Sequence, residues 1–454
     1  MRNDSLTGAP TDGAARPALQ PWTARHLLAR TARAQRESRA PGLVAGVVRD
    51  GALVWSAARG DVAEPHADVQ HRLGSITKSV TAVAVMRLRD EGLLALDDPL
   101  ERHLPGTPAG DRTVGQLLSH TAGLTAESPG PWWERTPGGS LGELALAAEH
   151  VPLGAGRQFH YSNLGYALLG ELLEALRGRP WGEVVRDEVL LPLGMTRTTP
   201  RPEGLTARGW AVHPWADLLH DEPEHDHGTM APAGQLWSTL TDLGTFAAFL
   251  LGDTGDVLDA TTLEEMAQPA GVDSSAELWS AYGLGLQVQR SDGRTLVGHG
   301  GSMPGFLAGV FVDRACGDGA LTLRNATSGA DGGLVPDLLA LLEQHEPALG
   351  PVWRPSPTAV DLTLLGVWFW GPSPYLLTLQ DDGLLHLGGL GRPGRASRFR
   401  AVGQGSLVGL DGYWTGEVMR AAADLLVLAT FVFTRTPYDA AQPVPGGVDE
   451  RGWH

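Results

Sequence analysis

The apolar positions change their period several times along the chain. From Pro21 to about Glu37 they recur at helical spacing, with Trp22, Leu27, Leu28 and Ala32 near one face. Two apolar runs follow, 42–50 and 52–60, around Asp50-Gly51. Asp-Gly between such runs predicts a β-hairpin. SVTAVAVMRLRDEGLL (79–94) predicts a strongly apolar helix stopped at Gly92. Shorter helical patterns lie near 113–119, 140–149, 162–178 and 181–190, and another at 241–252 with Thr241 as the expected cap. Strand patterns return at 282–290, 294–300, 306–313 and 320–326, and a helix closes the series at 334–344. Strands open and close this stretch while helices fill its middle. That order predicts an α/β (α+β) domain whose antiparallel sheet pairs early with late strands.

The flanks read differently. Residues 1–20 form a polar Ala/Pro/Gly leader without the apolar core of a secretory signal. Residues 347–360 are Pro-rich and read as a linker. From 361 to 440 short apolar runs alternate with glycines, which predicts a small β-barrel or sandwich, and 441–454 is a tail. The first folded domain is therefore expected over 21–346. No stretch reaches 18 apolar residues, so no membrane span is expected; a cytoplasmic location is the default.

Composition narrows the chemistry. The net charge of −17 argues against nucleic acid as a main partner, because phosphate binding needs clustered cations. Cys316 is the only cysteine, which excludes an intramolecular disulfide and a cysteine-based zinc or iron–sulfur site. His220, His225 and His227 stand among Asp221, Glu222, Glu224 and Asp226, but this reads as a solvated acidic loop rather than a metal site. No cofactor is expected. The sharpest feature is that 34 of the 35 basic residues are arginine and the sole lysine is Lys78. Arg stays protonated, whereas a desolvated Lys can act as a base.

Lys78 stands in Gly74-Ser75-Ile76-Thr77-Lys78, so Ser75 and Lys78 share a face on the first helical turn. A hydroxyl beside an amine makes a nucleophile–base pair. Lowering a lysine pKa from about 10.4 to about 7 takes roughly 4–5 kcal/mol. A helix end contributes only about 0.3–1 kcal/mol, so burial must supply most of it. Two further elements add chemistry. In Tyr161-Ser162-Asn163 the phenol can relay protons and the amide can pair with a substrate amide. In Gly298-His299-Gly300-Gly301-Ser302 the glycines let a ligand backbone approach a strand, and a backbone N–H can complete an oxyanion hole with that of Ser75.

Together, Ser75-x-x-Lys78, Tyr161-x-Asn163 and His299-Gly300-Gly301 resemble the three-motif set of penicillin-recognising serine enzymes: class C β-lactamases, D,D-peptidases, D-aminopeptidases and related esterases. LLSHTAGL (117–124) and GHGGSMPGF (298–306) add to the likeness, which covers about 21–350. The resemblance implies a five-stranded antiparallel sheet flanked by helices, plus an all-helical lobe. It makes Ser75 the acylated nucleophile, Lys78 its base and Tyr161 the partner base and acid. Asn163 would bind the acyl amide, the N–H groups of Ser75 and Ser302 would form the oxyanion hole, and His299 would be a proton relay or polar clamp. His299 stands where β-lactamases and D,D-peptidases often carry Lys, which weakens penicillin-type carboxylate binding. The tail resembles a lipocalin-like barrel, from which Arg435 is a candidate to hold a substrate carboxylate; a barrel-rim salt bridge is the plainer reading. PWWER (131–135), Trp210, Trp215 and Trp237 are candidates for an acyl pocket, though core packing is the better expectation for each.

The expected function is a serine hydrolase or acyltransferase acting on small peptides, amides or esters, with D-configured acyl groups favoured by the resemblance. The alternatives are a penicillin-binding-protein-type thioesterase that releases and macrocyclises nonribosomal peptides from a peptidyl carrier protein, and a non-catalytic peptide or lipid binder.

Overall fold

A computed structural model describes residues 19–107, 109–144, 150–273, 280–291, 293–329, 333–347, 352–391, 394–403, 405–422 and 425–438. Most of the 1–20 leader, the end of the helix expected at 140–149 and the 441–454 tail lie outside them. The chain divides into two compact units, Met1–Ala348 and Leu349–His454.

The first unit is built on an antiparallel sheet. Its strands are β1 (Gly42–Arg49), β2 (Ala52–Gly60), then, after the short pairs formed by β3 (His71–Arg72) with β6 (Trp237–Ser238) and β4 (Trp210–Val212) with β5 (Leu219–Asp221), β7 (Gly271–Val272), β8 (Ser280–Tyr282), β9 (Gln287–Ser291), β10 (Arg294–Met303), β11 (Phe306–Asp313) and β12 (Asp318–Arg324). The sheet order is β2-β1-β12-β11-β10-β9-β8-β7. The five long strands implied by the family are thus extended by three short ones. The hairpin turn has Asp50 at φ 49° and Gly51 at φ 78°, the double left-handed geometry a two-residue turn requires.

Strand β1 is buried along its whole length because helices cover both faces. Leu43, Ala45 and Val47 pack with α1 (Pro21–Ser38) and the last helix of the unit, Leu334–His345. Val44 and Val48 point to the opposite side, where the helical lobe lies. On α1 the buried stripe is Thr23, Leu27, Thr31, Ala34 and Ser38. Trp22 and Leu28 are exposed instead, since small Thr, Ala and Ser face the sheet and mark the stripe weakly.

Helix α2 (Ile76–Asp90) is the central one, buried continuously from Ile76 to Met86. It starts three residues before the apolar pattern suggested, and Gly92 follows its end at φ 74°. Two short or medium helices are as expected in place: α3 (Val114–Leu118), with a Thr113/Gln116 capping box, and α4 (Asn163–Arg177), capped by Ser162 and ended by Gly178. After α5 (Trp181–Val185) and a π-helical turn comes α6 (Leu240–Leu251). The α6 cap is Thr239, whose hydroxyl accepts from the Asp242 N–H, while Thr241 bonds the Ala67 carbonyl. The strand expected over 282–290 is two strands. Gly285, at φ 84°, breaks it, and a Cβ there would lie 2.1 Å from that of Ala82 in α2.

The second unit contains a closed eight-stranded barrel, from Gly366–Trp370 to Phe431–Thr434. Trp368, Leu377, Leu387, Phe399, Trp414, Met419 and Phe433 fill its core. Eight strands enclose just enough room for such side chains, so the barrel is packed. Among the described residues no helix is long and apolar enough to cross a membrane.

Candidate active site

Serine at a helix start normally caps it with its hydroxyl. Ser75 is the residue before α2, yet its side chain makes no cap bond, so the hydroxyl is not spent on the helix end. Lys78 lies one turn on, fully buried. Its Nζ is 3.0 Å from Ser75 Oγ and donates to the Ala233 carbonyl at 2.6 Å. Burial lowers the Lys78 pKa to about 7, against the opposing fields of Glu127 and Glu134. Thr77, Ser79 and Thr81 of the same helix are buried as well, bonded to the Leu236 N–H and to the carbonyls of Gly285 and Pro232. These bonds fix the helix against the segment that carries Ala233.

Strand β10 passes close to the start of α2. A side-chain carbon at Gly301 would stand 1.8 Å from the Leu73 carbonyl oxygen, and one at Gly74 would stand 2.5 Å from the Ser302 nitrogen. Only glycine permits this approach, and it sets the backbones of Ser75 and Ser302 side by side.

The Tyr161 hydroxyl hydrogen-bonds with Ser75, and burial pushes its pKa well up, so the phenol stays protonated at neutral pH. The Lys78 amine lies 5.0 Å from the Tyr161 ring centre. Asn163 opens α4, nearly buried, and its Nδ2 donates to both carboxylate oxygens of Glu127 at 2.9 and 3.0 Å. His299 is buried, with Nδ1 donating to the Gly300 carbonyl at 2.5 Å and Nε2 accepting from the Tyr282 hydroxyl at 2.9 Å. Burial lowers its pKa to about 3, so the imidazole is neutral. The structure therefore brings Ser75, Lys78, Tyr161 and the His299–Ser302 strand together and places no cation at His299.

Other candidates fall elsewhere. The Arg435 guanidinium lies 3.6 Å from the Trp368 ring centre and donates to the carbonyls of Thr363, Leu365 and Val367. Those carbonyls engage it within the barrel. In the 220–227 stretch, His227 is fully buried with Nε2 2.5 Å from Arg72, while Asp221 pairs with Arg208, Glu222 with Arg135 and Asp226 with Arg201. His220, Asp221, Glu224 and Asp226 are exposed, as expected of a solvated acidic stretch, and only His227 and the Glu222 side chain are buried. Among the described residues no group of three or more His, Cys, Asp or Glu could hold a metal. Trp215 is 89% exposed and Trp237 buried, whereas Trp133 is buried and donates to Glu127 at 2.7 Å.

Sequence reasoning missed four contributors: the Ala233 carbonyl, Glu127, Glu134 and His120. His120 holds its backbone at φ 57° and accepts the Ser162 N–H on Nδ1 at 3.0 Å, which fixes the turn before Tyr161. Its ring centre is 4.1 Å from that of Tyr161. The phrase LLSHTAGL contained that signal; nothing in the chain pattern pointed to Glu127.

The Beta-lactamase family model matches residues 26–344. A second model, described as a domain of unknown function, matches residues 357–435. Penicillin-binding protein 4 of Amycolatopsis lactamdurans is 29% identical over 64% of this chain and 82% of its own length. Beta-lactamase-like protein 2 of Dictyostelium discoideum is 27% identical over 54% of this chain, and the chain spans about half (48%) of that relative's length. Among solved structures, a D-stereospecific amidohydrolase from Streptomyces sp. is 26% identical, covering 73% of this chain and 100% of its own, at a TM-score of 0.59. The structure of SurE is 26% identical, covering 91% and 99%, at a TM-score of 0.57.

Proposed function

The chain belongs to the Beta-lactamase family, and on that footing we propose that it is a serine amidohydrolase working through an acyl-enzyme on Ser75, with small peptides or amides as substrates and D-configured acyl groups favoured. The single observation that carries this reading is the buried amine of Lys78, 3.0 Å from Ser75 Oγ with a pKa of about 7. A neutral amine there keeps a donor for the Ala233 carbonyl and offers its lone pair to the Ser75 hydroxyl proton.

In the proposed cycle, Lys78 takes the Ser75 proton as Oγ bonds to the substrate carbonyl carbon. The carbonyl oxygen gains the electron pair and faces the N–H groups of Ser75 and Ser302. The C–N bond then breaks, Tyr161 gives its hydroxyl proton to the leaving nitrogen, and the Lys78 ammonium restores it. Water repeats the sequence on the acyl-enzyme and releases the acid. Tyr161 acts as the proton donor rather than a second base, because burial keeps its phenol intact. The neutral, hydrogen-bonded His299 offers no cation to a penicillin carboxylate, so β-lactams should be poor substrates.

The D-stereospecific amidohydrolase supports the amide and D-configured preferences. The competing fate of the acyl group is capture by an amine of the same peptide, after thioester transfer from a carrier protein. One experiment separates the readings: full-length protein is offered a D-amino acid anilide, a p-nitrophenyl ester and a D-peptide thioester, and products and the intact mass are followed. The proposal expects an adduct on Ser75 and free acid. Cyclic product from the thioester would favour the carrier-linked reading, and no Ser75 adduct from any substrate or from a fluorophosphonate would favour a non-catalytic binder.

A further inference from the structure

Helix α1 ends against the first hairpin, where the backbone makes two tight approaches. Arg39 follows the helix at φ 54°, and its backbone N–H bonds the Arg36 carbonyl. Gln35 Nε2 donates to the Ala40 carbonyl at 2.7 Å, which holds the chain as it turns into β1. At the end of β2, Gly60 adopts φ 85°, and a side-chain carbon there would stand 2.0 Å from the Pro41 carbonyl oxygen. Only glycine permits that contact, and it sets the end of β2 beside the end of α1. Between these ends and the β4–β5 hairpin lies an open groove of about 700 Å³.

The groove carries the opposite charge to the chain. The net charge is −17, yet Arg33, Arg36, Arg39 and Arg59 line the groove against a single carboxylate, Asp217. Arg36 and Arg39 stand one helical turn apart, and Arg59 enters from the end of β2. Arg33 has Glu37 at 3.7 Å, and Arg39 donates to Asp217 Oδ1 at 2.8 Å and to the Ala216 carbonyl. The Asp217 side chain is 94% exposed, so water competes strongly for that pair. Among the described residues no carboxylate lies within 4.0 Å of the Arg36 or Arg59 guanidinium. Val212 and Leu219, paired across β4 and β5, add apolar lining together with Pro41.

We propose that this groove binds an organic phosphate, with the dianion held by Arg36, Arg39 and Arg59 and the organic body laid against Val212, Leu219 and Pro41. A carboxylate matches the fork of one guanidinium. A phosphate monoester carries close to two charges at pH 7 and three acceptor oxygens that point in different directions. It can therefore take donors from several guanidiniums at once, and here they arrive from a helix end and a strand end. Arg39 exchanges Asp217 for the ligand, while Arg36 and Arg59 have no carboxylate to give up. The volume lies within the roughly 300–1,000 Å³ typical of small-molecule sites, which leaves room for an organic body beyond the phosphate itself. None of the lining residues belongs to the proposed catalytic set, so the inference stands apart from the acyl-enzyme reading of Ser75.

The test is equilibrium dialysis of the full-length protein at pH 7.5 against 1-naphthyl phosphate, 1-naphthol, 1-naphthoate and inorganic phosphate. The ester is expected to bind about 10-fold more tightly than each of the others, because it alone joins a dianion to an apolar body. Arg36→Ala and Arg59→Ala, with the fold checked by circular dichroism, should each weaken the ester about 5–10-fold. Asp217→Asn should strengthen it about 2–5-fold by releasing Arg39. Raising NaCl from about 50 to about 500 mM should weaken it, since exposed charges are screened. Ser75→Ala should bind the ester as wild type does. No binding of the ester, equal binding of 1-naphthol or 1-naphthoate, or an affinity unchanged in the folded Arg36→Ala/Arg59→Ala double variant would overturn the inference. Loss of binding in Ser75→Ala would place the ester in the cleft beside Ser75 and overturn it as well.

Discussion

The barrel and the corner beneath Ser75 are both fully buried interiors, filled with opposite materials. In the barrel the buried side chains are Trp368, Leu377, Leu387, Phe399, Trp414, Met419 and Phe433. Under Ser75 they are Thr77, Lys78, Ser79, His120 and His299, with the rings of Tyr166 and Tyr282. The first set gains stability from each methylene it removes from water. The second holds polar groups whose charged forms burial disfavours, and it pushes Lys78 and His299 down and Tyr161 up. The residues proposed for catalysis sit in the interior that is less favourable for folding.

Substitutions can break this contrast. Lys78→Arg should produce the largest effect, a loss of about 10³–10⁴-fold in Ser75 acylation, because a guanidinium keeps its proton; the fold should persist by circular dichroism. Retained acylation would remove the base from Lys78. Phe433→Ala should destabilise the barrel by about 3–5 kcal/mol, read as denaturant sensitivity of the Trp368 and Trp414 emission. A much smaller loss would mean the barrel core is loosely filled. Tyr161→Phe should slow turnover about 10²-fold, with the larger deficit for anilides than for activated esters, whose leaving groups need no proton. Equal deficits would contradict the donor role.

The smallest effect runs the other way. Lys78→Met should stabilise the protein by about 1–2 kcal/mol at pH 7, since it replaces a buried amine by an apolar chain. The sign with pH follows from the lowered pKa. Between about 7 and 10.5 the unfolded chain binds a proton at Lys78 that the folded one does not. Wild-type stability from this group therefore rises with pH across that window, and the gap between the two proteins narrows. A gap that widens would contradict burial as the cause of the shift.

The sequence showed what is local. Asp50-Gly51, the α2 apolar run and the Ser162–Gly178 limits of α4 are decided by turn chemistry and short-range spacing. The proximity of the sole lysine to Ser75 was legible for the same reason, since the two stand one helical turn apart. What escaped depended on contacts distant in sequence. The break at Gly285 arises because the backbone must clear Ala82 in α2, about 200 residues away in the chain. The clasp between Glu127 and Asn163 joins a loop to a helix start, and no periodicity carries that information. The carbonyls that Arg435 meets, those of Thr363, Leu365 and Val367, lie far from it in the chain, and no local pattern reveals them.

The central claim has an unusually direct test, because the chain contains one lysine. Protein grown with [¹³C-ε]lysine should give a single side-chain methylene resonance, assigned by its absence in Lys78→Met. Its chemical shift, followed from pH 5 to pH 11 in the folded protein, should titrate with a midpoint near 7. A midpoint near 10.4, the value of a solvated lysine, would show a charged amine beside Ser75 and contradict the account.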